Sequence, residues 1–70
     1  MEPREFILEA AEIQRREGLS DEQVAAEMRV SFSSWIKWRK EAQDNNHPQR
    51  KWQRESLAAL RAFVERRLQH

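Results

Sequence analysis

Seven of the chain's thirteen Lys and Arg residues fall between positions 29 and 54: Arg29, Lys37, Arg39, Lys40, Arg50, Lys51 and Arg54. Only Glu41 and Asp44 oppose them, so this stretch carries a net +5. Guanidinium and ammonium groups at that density are the chemistry that binds a polyphosphate, neutralising phosphates and releasing their counterions. The stretch from 1 to 28 is its opposite: Arg4, Arg15 and Arg16 stand against eight carboxylates, a net −5. Beyond Arg54 three arginines and two glutamates leave +1. The formal net charge of +1 over 70 residues is therefore a cancellation of segregated charge.

Catalytic chemistry is absent by the same kind of reading. An enzyme needs convergent titratable groups, and the sequence offers no nucleophile beside a base, no paired carboxylates in an apolar setting and no glycine-rich phosphate loop. Cysteine is missing altogether. The two histidines, His47 in a polar stretch beside Pro48 and His70 at the last position, do not make a metal cage. The expectation is a protein that is not an enzyme and takes no cofactor, no metal and no small-molecule substrate.

The elements that must carry the cationic stretch are helices. Eight alanines, no threonine or tyrosine and only three valines and three isoleucines favour helix over sheet, and 70 residues hold one small domain. The longest apolar runs, such as Phe6-Ile7-Leu8, fall far short of the ~20 residues that cross a bilayer, and no signal peptide is visible. The expected class is a soluble, cytoplasmic, all-α domain of about four helices, with no membrane partner.

Residues 3 to 17 form the first expected helix. Pro3 suits its first position, and Phe6, Ile7, Ala10, Ala11 and Ile13 share one stripe opposite Glu9, Glu12, Arg15 and Arg16. Gly18, the only glycine, is placed to end it in a left-handed cap with Leu19 packing back. Ser20 to Gln23 has capping-box spacing and opens a second helix over 20–28, with Val24, Ala25 and Met28 apolar. Arg29 and Val30 interrupt the pattern. Ser31 is then the N-cap of a helix over 31–42 that turns Trp35, Trp38 and Ala42 to one side. Gln43 to Pro48 is a polar loop. A long helix over 48–69 follows, with Trp52, Ala59 and Phe63 on one edge of a wide apolar stripe and Leu57, Leu60, Val64 and Leu68 on the other.

The segment Leu19 to Trp38 resembles the helix-turn-helix of the lambda-repressor-like family, the XRE-type group that includes phage Cro proteins and phage repressors. Leu19, Ser20, Val24, Ala25, Val30, Ser31 and Trp38 match that family's pattern in register. Ala25 is small where two helices cross, and Val30 plugs the corner between them. The chain departs from the pattern in three places. Arg29 stands where the family has a left-handed Gly, which implies a strain of ~1 kcal/mol or an altered turn. Arg39 and Glu41 replace a Glu and a Gly at the end of the third helix. Asp21 and Glu22 occupy the start of the second helix, where a phosphate-contacting Gln is common, which implies that Gln23 takes over that contact or that the second helix sits farther from the backbone.

The resemblance implies a sequence-specific, double-stranded-DNA-binding transcriptional regulator of phage or bacterial type. Its recognition helix over 31–42 would lie in a major groove. Phe32, Ser33, Ile36 and Lys37 take the base-contacting positions: Lys37 toward guanine O6 or N7, Phe32 or Ile36 toward a thymine methyl. Gln23, Ser31, Lys40, Arg50, Lys51 and Arg54 take the phosphate. Since such domains usually pair to reach two half-sites, a homodimer seam is expected along Leu57, Leu60, Val64 and Leu68, with packing on the first helix as the alternative. Two other functions use similar motifs: the DNA-docking part of a transposase, excisionase or small terminase, and a helical protein-interaction module.

Overall fold

Four helices run through the described residues, 2–44 and 53–68, of the computed structural model: α1 (Pro3–Glu17), α2 (Asp21–Met28), α3 (Phe32–Gln43) and α4 (Arg54–Leu68). None of the described residues is in a strand. The fold is all-α, with the first three helices within one residue of their expected bounds and Gln43, expected in the polar loop, as the last residue of α3.

Each boundary has a local cause. α1 starts on Pro3, whose missing N–H costs nothing in a first turn. It ends at Gly18, held at φ 67°, ψ 34°, where Gly18 N–H donates to the Arg15 carbonyl and Leu19 N–H to that of Gln14 at 3.0 Å. α2 opens on the complete capping box: Ser20 Oγ accepts from Gln23 N–H at 3.1 Å, and Ser20 N–H donates to Gln23 Oε1 at 2.8 Å. Its far end repeats the left-handed cap without a glycine. Arg29 sits at φ 57°, ψ 39°, and Val30 N–H reaches the Ala25 carbonyl at 3.0 Å. The turn keeps its geometry and Arg29 bears the strain.

α4 departs from its expected start. Gln53 is not helical, and its carbonyl accepts the N–H of Leu57 at 3.0 Å, so the helix begins at Arg54 rather than at 48. The five positions before Gln53, Trp52 among them, lie outside the described residues.

The core takes three side chains from each helix: Ile7, Ala10 and Ile13; Val24, Ala25 and Met28; Trp35, Trp38 and Ala42; Leu60, Phe63 and Val64. Phe6, Ala11, Leu19, Val30 and Ala59 pack around it. α1 lies against α3 and α4, and α2 packs on the same two helices. This corrects the expected seam on the last helix, because Leu60 and Val64 are fully buried within the one chain. Removing such a side chain from water is worth about 2 kcal/mol, and α2, eight residues long, depends on neighbours of that kind to stay helical. Of the four seam residues Leu57 is half-buried and Leu68 exposed.

Polar side chains tie the ends together. Arg4 Nε donates to the Ala42 carbonyl at 2.8 Å, joining the start of α1 to the end of α3. At the opposite end Arg67 bridges two helices, donating to Glu17 at 2.5 Å and to Glu27 while lying 5.4 Å over the Phe63 ring. The hydrogen bond to Glu27, followed by the field of both carboxylates, raises the Arg67 pKa.

Candidate nucleic-acid interface

α3 has two unlike sides. Trp35, Trp38 and Ala42, spaced three and four residues apart, point into the core. The opposite side presents Phe32, Ser33, Ile36, Lys37 and Lys40, which with Glu41 line one shallow, open depression. Phe32 is 47% exposed, Ser33, Lys37 and Lys40 are exposed, and Ile36 is half-buried. All four residues expected to reach base edges are thus on one surface, with Lys40 one turn beyond Lys37. Neither lysine is in an ion pair among the described residues.

The start of this face is set by Ser31. Its Oγ accepts the N–H of Ser34 at 3.1 Å and donates to Ser34 Oγ at 2.8 Å. The helix therefore begins at a defined place, one residue before the Phe32 ring. The cost is that the Ser31 hydroxyl proton is already engaged, so the phosphate-donor role expected of it conflicts with its cap. Gln23 is similarly divided: its Oε1 closes the capping box, which leaves its amide N–H2 as the available group. Arg54 is exposed at the first turn of α4. Arg50 and Lys51, like His47 and His70, lie outside the described residues.

Three described cations of the basic stretch do not line this depression. Arg54 lines another one along α4, with Leu57, Arg61 and Glu65. Arg29, at the left-handed turn, lines a separate cleft between α2 and α4 with Glu27, Val30, Glu55, Ala59 and Arg66. Arg39 is turned inward. Its guanidinium pairs with Asp21, donates to Gln14 Oε1 at 3.1 Å and lies 5.8 Å over the Trp35 ring. Asp21 Oδ1 also accepts Gln14 Nε2 at 2.7 Å and Trp35 Nε1 at 3.1 Å. The Gln14 hydrogen bond, with Arg39 and Trp35 behind it, holds the Asp21 carboxyl below its ordinary pKa despite the opposing effect of burial.

Sequence reading missed this junction and counted Arg39 only in the net charge of the cationic stretch. A signal was present in the two departures themselves: Asp21 and Arg39 are opposite charges at positions where the family pattern has neither. Pairing them needed the packing of α2 on α3, which no spacing within one helix supplies.

No group of three metal-ligating side chains occurs among the described residues, and none of their helices is long and apolar enough to cross a membrane. Compared with known proteins, the chain matches no protein-family model, no curated protein and no solved structure.

Proposed function

We propose that the chain binds duplex DNA sequence-specifically, laying α3 in the major groove with its N-terminal half toward the base edges. One observation carries the reading: the outward face of α3 holds Ser33, Lys37 and Lys40 beside Phe32 and Ile36, with neither lysine in an ion pair among the described residues, while Arg39 faces the interior. Lys37 donates to guanine O6 or N7 and Ser33 to a neighbouring base edge. Lys40, Arg54 and the Gln23 amide take phosphates and set the register, joined by Arg50 and Lys51 of the sequence reading. Binding, not catalysis, is the activity. The proposed setting is a lambda-repressor-like transcriptional regulator of phage or bacterial type, working in the cytoplasm.

A second copy is the proposed protein partner, since four or so base pairs read by one helix give weak selectivity. With Leu60 and Val64 in the core, the α4 residues open to it are Leu57 and Leu68, three helical turns apart on one line.

Selection of bound duplexes from a random pool tests the reading directly. A consensus sequence supports it, and a palindromic one supports paired copies as well. Affinity for that consensus falls steeply with salt through counterion release. The exposed Phe32 ring favours a second reading, a helical protein-interaction module. Absence of duplex binding even at ~50 mM salt leaves only that one.

A further inference from the structure

We propose that the outer face of α1 docks on the outward face of α3 in a second copy of this chain. Leu8 enters the depression beside Phe32 and Ile36, while Glu5 and Glu9 meet Lys37 and Lys40. The contact covers the face proposed above for DNA. Its regulatory consequence, that self-association and duplex binding exclude each other, rests on that reading.

The two faces carry one pattern in opposite charge. On α3 an exposed Phe32 and a half-buried Ile36 share the depression with Lys37 and Lys40, neither of them in an ion pair among the described residues. On α1 the core is served by Ile7, Ala10 and Ile13, and Leu8 is left 39% exposed on the other side. Glu5 lies one turn before Leu8 and Glu9 beside it, and neither carboxylate is in an ion pair among the described residues. Glu12, one turn after Leu8, is already held by Arg15. The charged groups also match in spacing: four residues separate Glu5 from Glu9 and three separate Lys37 from Lys40, a rise of about 6 Å against about 4.5 Å.

These faces cannot meet within one copy. α1 and α3 pack by their inner sides, so both outer sides turn away from the shared core. A second copy supplies the missing half, and the segregation of −5 over residues 1–28 from +5 over 29–54 orients its approach. A purely apolar partner would desolvate Lys37 and Lys40 without pairing them, a cost that Glu5 and Glu9 remove. Glu41, past Lys40 at the end of the depression, already has a partner within the chain. Because the two surfaces differ, the association is head-to-tail: the end copies of a row keep one free face of each kind, and rows grow beyond two.

Sedimentation equilibrium of the full chain tests the contact. At about 0.01 M salt, where charges act across ~30 Å, the mean mass should rise roughly twofold or more between about 10 μM and about 1 mM, and at about 1 M salt that rise should vanish. E5K with E9K should remove it, and so should K37E with K40E. Mixing these two double variants one to one should restore it, since each charged face again meets its opposite. Pairing along Leu57 and Leu68 would instead stop at two copies and ignore the reversal on α1. A mean mass independent of concentration at low salt, or a rise that survives E5K with E9K, overturns the contact. Energy transfer between donor- and acceptor-labelled copies should disappear when a duplex of about ten base pairs, one half-site long, is added in excess. A duplex that binds without reducing the transfer overturns the shared use of α3. If no duplex binds, the DNA reading fails, and restoration on mixing still decides the contact. Should a reversed variant not fold, the salt and concentration series on the unmodified chain decides alone, growth beyond two copies at low salt supporting the contact and a constant mass overturning it.

Discussion

The indole N–H of Trp35 donates to the carboxylate of Asp21 across 3.1 Å, fastening the inner side of α3 to the first residue of α2. Gln14 of α1 and Arg39, one turn further along α3, reach the same carboxylate. Three helices therefore meet on one group, and the outward face of α3 is oriented by what its inward face holds.

Replacing Asp21 by Asn keeps an acceptor for Trp35 and removes the charge that Arg39 pairs with. Each side chain of the pair is about a quarter exposed, so the charge is partly screened. A loss of about 1–2 kcal/mol is expected in urea unfolding. Arg39→Ala should destabilise by a similar amount and leave base preference on folded protein unchanged, separating Arg39 from Lys37.

The same carboxyl makes stability depend on pH. Its folded pKa lies below the unfolded one, so its contribution is complete above the unfolded value and disappears as pH falls through the folded value. Urea midpoints should thus fall more for the natural chain than for Asp21→Asn between about pH 5 and about pH 3, around the ordinary aspartate value. Parallel curves for the two proteins would show that Asp21 contributes nothing as a charge.

The two left-handed caps make opposite predictions. Gly18→Ala meets no atom within 4 Å, so its cost is conformational, about 1 kcal/mol at φ 67°. Arg29→Gly at φ 57° relieves the same strain and should stabilise by up to about 1 kcal/mol, less the greater chain entropy of glycine when unfolded. Thermal melts of the two variants should move in opposite directions.

Leu60 and Leu68, both expected on one seam, should now behave differently. Leu60→Ala cuts a fully buried side chain and should cost about 2–5 kcal/mol at any protein concentration. Leu68→Ser removes a side chain 54% exposed and should leave the stability of a single copy within about 0.5 kcal/mol. If copies pair along Leu57 and Leu68, light scattering across micromolar concentrations should show Leu68→Ser shifted toward single chains.

Lys37 and Lys40 test the division of labour on the proposed DNA face. Lys37→Ala should cost about 1–3 kcal/mol on the consensus duplex and relax preference at one position. Lys40→Ala should weaken all duplexes alike and lower the slope of log affinity against log salt by about 1. If base preference survives Lys37→Ala and Ser33→Ala together, α3 is not the reading element.

Much of this was legible in the sequence because helix ends are local. Pro3, Gly18, Ser20 with Gln23, and Ser31 act within four residues of themselves, so their types and spacing determined where α1, α2 and α3 begin and where α1 ends. Periodicity likewise determined that Trp35, Trp38 and Ala42 face inward and that Phe32, Ser33, Ile36 and Lys37 share the opposite side. Tertiary structure decided what periodicity leaves open on a helix with a wide apolar stripe: Leu60 and Val64 belong to the core because α1 and α4 pack on each other. It also decided which charges stay free. Arg39 and Arg67 are spent on carboxylates of other helices, whereas among the described residues Lys37 and Lys40 pair with none. An ion pair between distant residues depends on where whole helices lie, and that is a property of the packed core, not of any stretch of sequence.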